Sequence, residues 1–407
     1  MPATVGSSDG HAQMDSGRRL RVAMTGNGAT VHALVRGAAI AALGHDVRLF
    51  TLGPVLPHAG IDVRTRPLPA SMLRGLRAFY SFQKDLRAFR PDLLHVHYAG
   101  GRLGSLALAS GIKPLVVTVM GGDVQPEQHL GQASSWDHRT TARLLKEAAL
   151  ILAKSNALRS EIQRYGDYAA KTETVRWGIN TERFARDEAR GDAMRRALGL
   201  PPGPVLLSPR ILRPLYNIHL AVEAMPAILA TAPAAMLLIS RHREDPEYAA
   251  RLKNRVRELG IDSRVRFIDP ISYDAMPDIL SMSQVVISIP FSDGLPQTLF
   301  ECLASGTPIV MGRLKAYEEM VHDGREVLLA DLEPAAIAAA VVRVLSDVAL
   351  ASRLRDAGRQ RIREEASLPD EARRVEAMYR RVLAQPASTS PVGPRMLDAF
   401  SLALKRG

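Results

Sequence analysis

The chain has 407 residues, too many for one compact core, so two domains are expected. Apolar residues make up 46% of it, and no run of 18 is free of charges or turn signals, so packed globular domains are expected and a membrane-spanning helix is not. The formal charge of +11 calls for an anionic partner. With aromatics at 5% and no recognisable nucleic-acid module, stacking platforms for bases are scarce, so no nucleic acid is expected and diphosphates or anionic lipid remain.

Residues 1–18 are polar, lack the apolar stretch of a secretory signal, and read as a disordered leader. From Arg19 onward, short apolar runs alternate with helical patterns, the mark of parallel sheets covered by helices on both faces. Strands are expected at 19–24, 44–50, 61–66, 92–97, 115–119, 149–153 and 174–175, with a first helix over 30–43. The turn before that helix, Gly26-Asn27-Gly28, permits close backbone approach. Val31 stands where a dinucleotide fingerprint has its third glycine, and no acid ends the second strand, so a nicotinamide site is disfavoured. Residues 72–90 form an amphipathic helix in which Leu73, Leu76, Phe79, Tyr80, Leu86 and Phe89 alternate with Arg74, Arg77, Lys84, Arg87 and Arg90. The pattern suits a core-packed helix with a solvated basic face, and equally a helix lying on an anionic membrane surface. His95 and His97 share one face of a strand without a third metal ligand, and read as structural.

Residues 182–204 are charged, then turn-forming, and read as a linker. The pattern then repeats, with strands at 205–209, 235–240, 265–268, 285–289, 308–311 and 326–329, and helices at 218–229, 246–259, 274–282, 316–321 and 335–345. The expected fold is α/β: two facing Rossmann-like, doubly wound parallel-sheet domains, residues 19–190 and 191–370. A cleft between them is the expected site, because ligands of such sheets bind beyond the carboxyl ends of the strands. Charged helices follow over 353–383, and 384–407 reads as a flexible tail.

The most informative stretch is 284–313. The run Val285-Val286-Ile287-Ser288-Ile289 leads into Ser292-Asp293-Gly294-Leu295-Pro296-Gln297-Thr298-Leu299-Phe300-Glu301 and then Ser305-Gly306-Thr307-Pro308. Pro296 suits the first helical position, and Gly306 the left-handed residue after the last turn, giving a helix of about ten residues. Asp293 lies in the loop before the helix, where free amides and the positive dipole end gather; Glu301 lies further along as a helix-surface carboxylate. A ligand along this element meets amides and one acid first, and a second acid later, which matches a nucleotide-sugar. Cys302, the single cysteine, falls on the packed side of the helix; one thiol excludes internal disulfides and a Cys-rich metal site, and fits a reducing cytoplasm. No D-x-D element adjoins a strand end and His, Asp and Glu are not clustered, so metal independence is expected.

This stretch resembles the acid-x7-acid motif of the retaining glycosyltransferases of family 4, whose first acid is usually Glu and is here Asp293. The resemblance runs from about residue 19 to 383 and is strongest over 292–310. It implies the two-domain GT-B fold and transfer of a hexosyl group from a nucleoside-diphosphate sugar, with no cofactor. It implies that Glu301 receives the ribose hydroxyls, and that Asp293 contacts the donor sugar near the reacting carbon. The amides of Gly294, Leu295, Thr298 and Leu299, with the Thr298 hydroxyl, would hold sugar and phosphate; the Gly26–Gly28 turn would face the donor phosphates or the acceptor. Arg210 matches the arginine that clamps the diphosphate.

Two departures stand out. The lysine that accompanies this arginine is missing, with Tyr216-Asn217 in its slot, so Arg213 is the candidate for the second charge. Met120 occupies a place where the family frequently has histidine, which leaves Asp123 as the group to orient hydroxyls. Retention in this family is described as front-face attack in which the leaving phosphate takes the acceptor proton, so the histidine is dispensable. The family's last helix folds back on its first domain, as residues 371–383 would here. With the basic helix 72–90, the implied partner is a glycan or lipid-linked, phosphate-bearing acceptor of bacterial surface polysaccharide synthesis. The enzyme would then be cytoplasmic, peripheral on the inner face of the membrane. The alternatives are a nucleotide-sugar epimerase on the same architecture and a non-catalytic nucleotide-sugar-binding homologue.

Overall fold

The computed structural model describes residues 17–67, 72–124 and 135–385, without the side chains of 72–76, 135 and 136. All but the last two residues of the expected leader, and the tail from 386 on, lie outside these residues. The chain divides into two compact units. One takes the chain up to Thr118, Arg139–Ile151 and the chain from Ala372; the other takes Val119–His138 and Leu152–Glu371.

The first sheet has seven strands: β1 (Arg21–Thr25), β2 (Asp46–Thr51), β3 (Asp62–Thr65), β4 (Leu93–His97), β5 (Leu115–Val119), β6 (Leu150–Ala153) and β7 (Thr172–Thr174). Their order is β3-β2-β1-β4-β5-β6-β7, with β1 paired in parallel to both β2 and β4. The second sheet has six: β8 (Val205–Ser208), β9 (Met236–Ser240), β10 (Val265–Ile268), β11 (Val285–Ser288), β12 (Ile309–Gly312) and β13 (Leu328–Ala330). It repeats the same winding, β10-β9-β8-β11-β12-β13, again parallel. Strand order therefore reverses between β1 and β4 in one sheet and between β8 and β11 in the other. Such switch points leave crevices beyond the strand ends where ligands bind.

Central strands are buried at every position, as parallel sheets covered on both faces require. In the second sheet alternate residues serve opposite faces: Leu206, Leu237, Val285, Ile287 and Val310 join one apolar cluster, and Leu207, Leu238, Val286, Ile309 and Met311 the other.

Two expectations change. Residues 182–204 are no simple linker, since Glu188–Ala197 is a helix whose Asp187 cap accepts from the Arg190 amide. Only Gly191 of it is buried, where a Cβ would lie 2.9 Å from the Ser281 carbonyl carbon, so the charged sequence hid the packing face. The helix expected at 316–321 is a single 3-10 turn, Lys315–Tyr317. In the basic helix, Met72–Ala88, Phe82 and Leu86 are fully buried, and Phe82 and the following Phe89 meet the Phe50 ring at 5.9 and 6.2 Å. Phe82, Leu86 and Phe89 are thus spent on the core, while Tyr80, Arg77, Lys84, Arg87 and Arg90 stay exposed; the side chains of Leu73, Arg74 and Leu76 lie outside the described residues. Among the described residues no single helix is long and apolar enough to cross a membrane.

Candidate active site

The second sheet builds its site from the two strands at its switch point. Arg210 lies two residues beyond β8, and Asp293 five residues beyond β11. Arg210 Nη2 donates to Asp293 Oδ2 at 2.6 Å, and the two side chains are only 10% and 12% exposed. Nη1 reaches Ser288 Oγ at 3.5 Å, and the guanidinium lies 4.7 Å over the Tyr216 ring. Tyr317 Oη donates to Asp293 Oδ2 at 3.5 Å, and Asp293 Oδ1 accepts from the Gly294 amide at 2.9 Å. Burial opposes the charge on Arg210, but the Asp293 carboxylate beside it prevails and holds the guanidinium protonated above its ordinary range. Burial, and then Asp293, push the Tyr317 phenol upward, so it stays a hydrogen-bond donor.

The motif helix is Gln297–Ser305, one residue shorter at its start than expected. Pro296 is its extended N-cap rather than its first helical residue, with φ −75° and ψ 145°. Leu295 and Leu299 point into the core, and the Leu299 amide already bonds Pro296 O at 3.1 Å. Thr298 is half-buried. Beside Gly294 space is open, the nearest atom to a built Cβ being Lys154 Cε at 3.8 Å.

Glu301 differs most from expectation. It is no helix-surface carboxylate: the residue is 5% exposed and its carboxylate makes no hydrogen bond or ion pair among the described residues. Burial raises its pKa from 4.5 to about 7, against the pull of the Arg210 charge. A buried acid left without protein partners is costly unless something supplies donors. The Arg210–Asp293 pair and Glu301 are therefore brought together at one end of one sheet.

The other candidates each make local contacts of their own. Arg213 is exposed and bonds Arg243 O at 3.3 Å, while the slot of the missing lysine holds Tyr216, stacked on Arg210. Asp123 is buried; its Oδ1 accepts from Met120 and Gly121 amides at 3.0 and 2.8 Å, tying down its own loop. At the switch point of the first sheet, a Cβ on Gly26 would lie 2.7 Å from Ala33 Cβ and 3.3 Å from His97 Cβ, so only glycine fits. The Gly28 amide is given to Thr51 Oγ1 at 3.1 Å. His95 is held by Tyr379 Oη and by Thr118 Oγ1 at 2.7 Å, and burial lowers its pKa to about 3. His97 is buried with neither ring nitrogen hydrogen-bonded among the described residues; burial, then His95, Arg36 and His32, keep it neutral.

Sequence reasoning missed Tyr317 and the stacking role of Tyr216. Neither falls in a spacing that marks a function; Tyr216 follows Arg210 in the same connection, and Tyr317 reaches Asp293 only through the folded sheet.

Comparisons with known proteins bear on the family and the fold. Residues 26–183 match the family model described as Glycosyltransferase Family 4, and residues 192–361 that of Glycosyl transferases group 1. A D-inositol 3-phosphate glycosyltransferase of Catenulispora acidiphila is 28% identical over 273 residues, 62% of each chain, so the match spans under two thirds of that relative. A glycogen synthase of Mycobacterium tuberculosis is 25% identical over 84% of this chain and 87% of its own. The GDP-mannose-dependent phosphatidylinositol monomannoside mannosyltransferase of Mycolicibacterium smegmatis is 27% identical over 63% of this chain and 67% of its own. Among solved structures, Anabaena HepE with UDP and glucose superposes with a TM-score of 0.75 at 16% identity, covering 89% of this chain and all of that one, which speaks to the fold. The doubly wound sheets and the two adjoining family matches show that this chain belongs to the family-4 glycosyltransferases of the GT-B type.

Proposed function

We propose that this chain moves a sugar from a nucleoside-diphosphate donor to an acceptor hydroxyl, with retention of anomeric configuration and without a metal. The observation that carries this reading is the Arg210 guanidinium, held between Asp293 and Tyr216 beyond the switch-point strands and within electrostatic reach of the unpartnered Glu301. Glu301 receives the ribose hydroxyls, and Arg210 grips the diphosphate. The acceptor oxygen attacks the anomeric carbon on the face from which the leaving group departs. The carbon–oxygen bond to phosphate breaks, its electron pair stays on the phosphate oxygen, and that oxygen takes the acceptor proton. Arg210 answers the negative charge that grows there, which a preorganised cation does without reorganisation. Asp293 orients Arg210 and meets the sugar.

For the acceptor, a phosphate-bearing or lipid-linked molecule is supported by the exposed basic face of Met72–Ala88 and by relatives whose names specify inositol 3-phosphate and a phosphatidylinositol mannoside. The test is incubation with UDP-, GDP- and ADP-sugars and candidate acceptors, with and without chelator, reading the new anomeric centre by proton NMR. An α-linked product from an α-linked donor, at equal rate with chelator, is expected. An inverted product, a chelator-sensitive rate, or epimerised sugar formed without acceptor overturns the corresponding part.

A further inference from the structure

Away from Asp293, at the far end of the motif helix, an open pocket of about 480 Å³ is lined by Thr181, Glu182, Ala185, Arg186, Ala304, Arg359 and Arg363. Three arginines line it, and a fourth, Arg355, adjoins them. Arg355, Arg359 and Arg363 recur every fourth residue along the helix Val348–Glu365, so they stack on one face, where like charges repel. Gly358 lets that face close on the motif helix, since a Cβ there would lie 2.8 Å from Leu303 Cδ2.

Three of these side chains are partly used by the fold. Arg355 Nε donates to Gly306 O at 3.2 Å, and Arg359 Nη2 to Ser305 O at 3.0 Å, the free carbonyls at the end of the motif helix. Arg186 Nη1 reaches Ser283 O at 3.4 Å. Arg363 is exposed and its side chain makes no hydrogen bond among the described residues. None of the four forms an ion pair among the described residues, although Arg361 on the same helix pairs with Glu326 and Glu365. Burial and then the neighbouring Arg355 depress Arg186 and Arg359, and the nearby carboxylates of Glu188 and Asp356 only partly offset this.

We propose that this pocket binds a phosphomonoester on a small hydroxylated molecule, at a site separate from the donor site. The phosphate dianion fits between the guanidinium forks of Arg186, Arg359 and Arg363, which bond its oxygens in pairs and lose their mutual repulsion. Thr181 and Glu182, on the same wall, accept hydrogen bonds from hydroxyls of the molecule that carries it. The inference does not depend on the donor assignment, because no residue is shared with Arg210, Asp293 or Glu301.

The experiment is calorimetric titration of the full chain with inorganic phosphate and with glucose 6-phosphate, at fixed ionic strength. It compares the wild type, Arg186→Gln/Arg363→Gln, and Arg210→Lys, which disturbs the donor site instead. The dissociation constant should rise at least about tenfold in the double variant and stay unchanged in Arg210→Lys. If the double variant fails to fold by circular dichroism, Arg363→Gln alone carries the comparison, since that side chain supports nothing else. No binding to the wild type, equal affinity in wild type and double variant, or loss of binding in Arg210→Lys overturns the proposal. So does sedimentation with anionic vesicles that depends on these arginines while the free phosphates do not bind, which would make the ligand a lipid headgroup.

Discussion

Glu301 carries an acid where burial disfavours its charge, and that makes it a pH probe. Its folded pKa of about 7 lies above the ordinary 4.5, so the folded chain keeps a proton that the unfolded chain loses between those values. Its contribution to stability is full below about pH 4.5 and is lost as the pH rises to about 7, by at most ~1.4 kcal/mol per pH unit. Glu301→Gln should therefore melt above the wild type at about pH 8 and with it near pH 5, as read by calorimetry. Ribose hydroxyls donate to the charged form, so donor affinity should tighten from about pH 6 to 8 in the wild type and stay flat in Glu301→Gln. At Arg210, removal to alanine strands Asp293 in a nearly closed site, at a cost of about 3 kcal/mol, and confuses folding with catalysis. Arg210→Lys keeps the charge but loses the fork and the stacking on Tyr216. Its melting temperature should change little, while kcat falls by about two orders of magnitude in a steady-state assay. Unchanged turnover would make the arginine structural.

The motif helix shows what local sequence can and cannot specify. Gly306 at φ 68° ends it as its neighbours Ser305 and Pro308 suggest, because a side chain in that conformation is strained and a proline stops continuation. A Cβ on Gly306 would also lie 2.5 Å from Arg359 Nε, so Gly306→Ala should lower stability by more than the about 1–2 kcal/mol of the left-handed strain alone, measured by urea unfolding. Pro296 was misplaced by one position because an N-cap and a first helical residue both accept proline. The helix Glu188–Ala197 was hidden for a different reason: its closest contact is made by a glycine and its only large apolar contact is Met194, which leaves no apolar stripe to read. The basic helix is the converse case, with an apolar stripe that reads equally well as core or as lipid contact until Phe82, Leu86 and Phe89 are seen packed beside Phe50.

At the scale of the molecule, two repeats of alternating strand and helix were legible because parallel sheets buried on both faces demand continuous apolar runs. Glu301 and Asp293 were legible through their spacing on one element. Tyr317 and Tyr379 were not, since each acts across a sheet or from the far end of the chain, as Tyr379 does on His95 from 284 residues away. Part of the net charge of +11 lies on a solvated face, Arg77, Lys84, Arg87 and Arg90, beside the exposed Tyr80 ring. Attachment to an anionic surface through this face is mainly electrostatic, about 1 kcal/mol per basic residue, and vesicle sedimentation should be abolished both by salt and by exchanging these four for Gln. Retained binding in the Gln variant would place the contact elsewhere. The central claim, that one end of the second sheet is a nucleoside-diphosphate site, is tested most directly by calorimetric titration of UDP, GDP and ADP into wild type and folded Glu301→Ala. The account predicts that at least one nucleotide binds and that its affinity falls by about tenfold or more in the variant, from loss of charge-assisted hydrogen bonds worth about 1.5–3 kcal/mol each. Equal affinity in the two proteins for every nucleotide, or no binding to either, would contradict it.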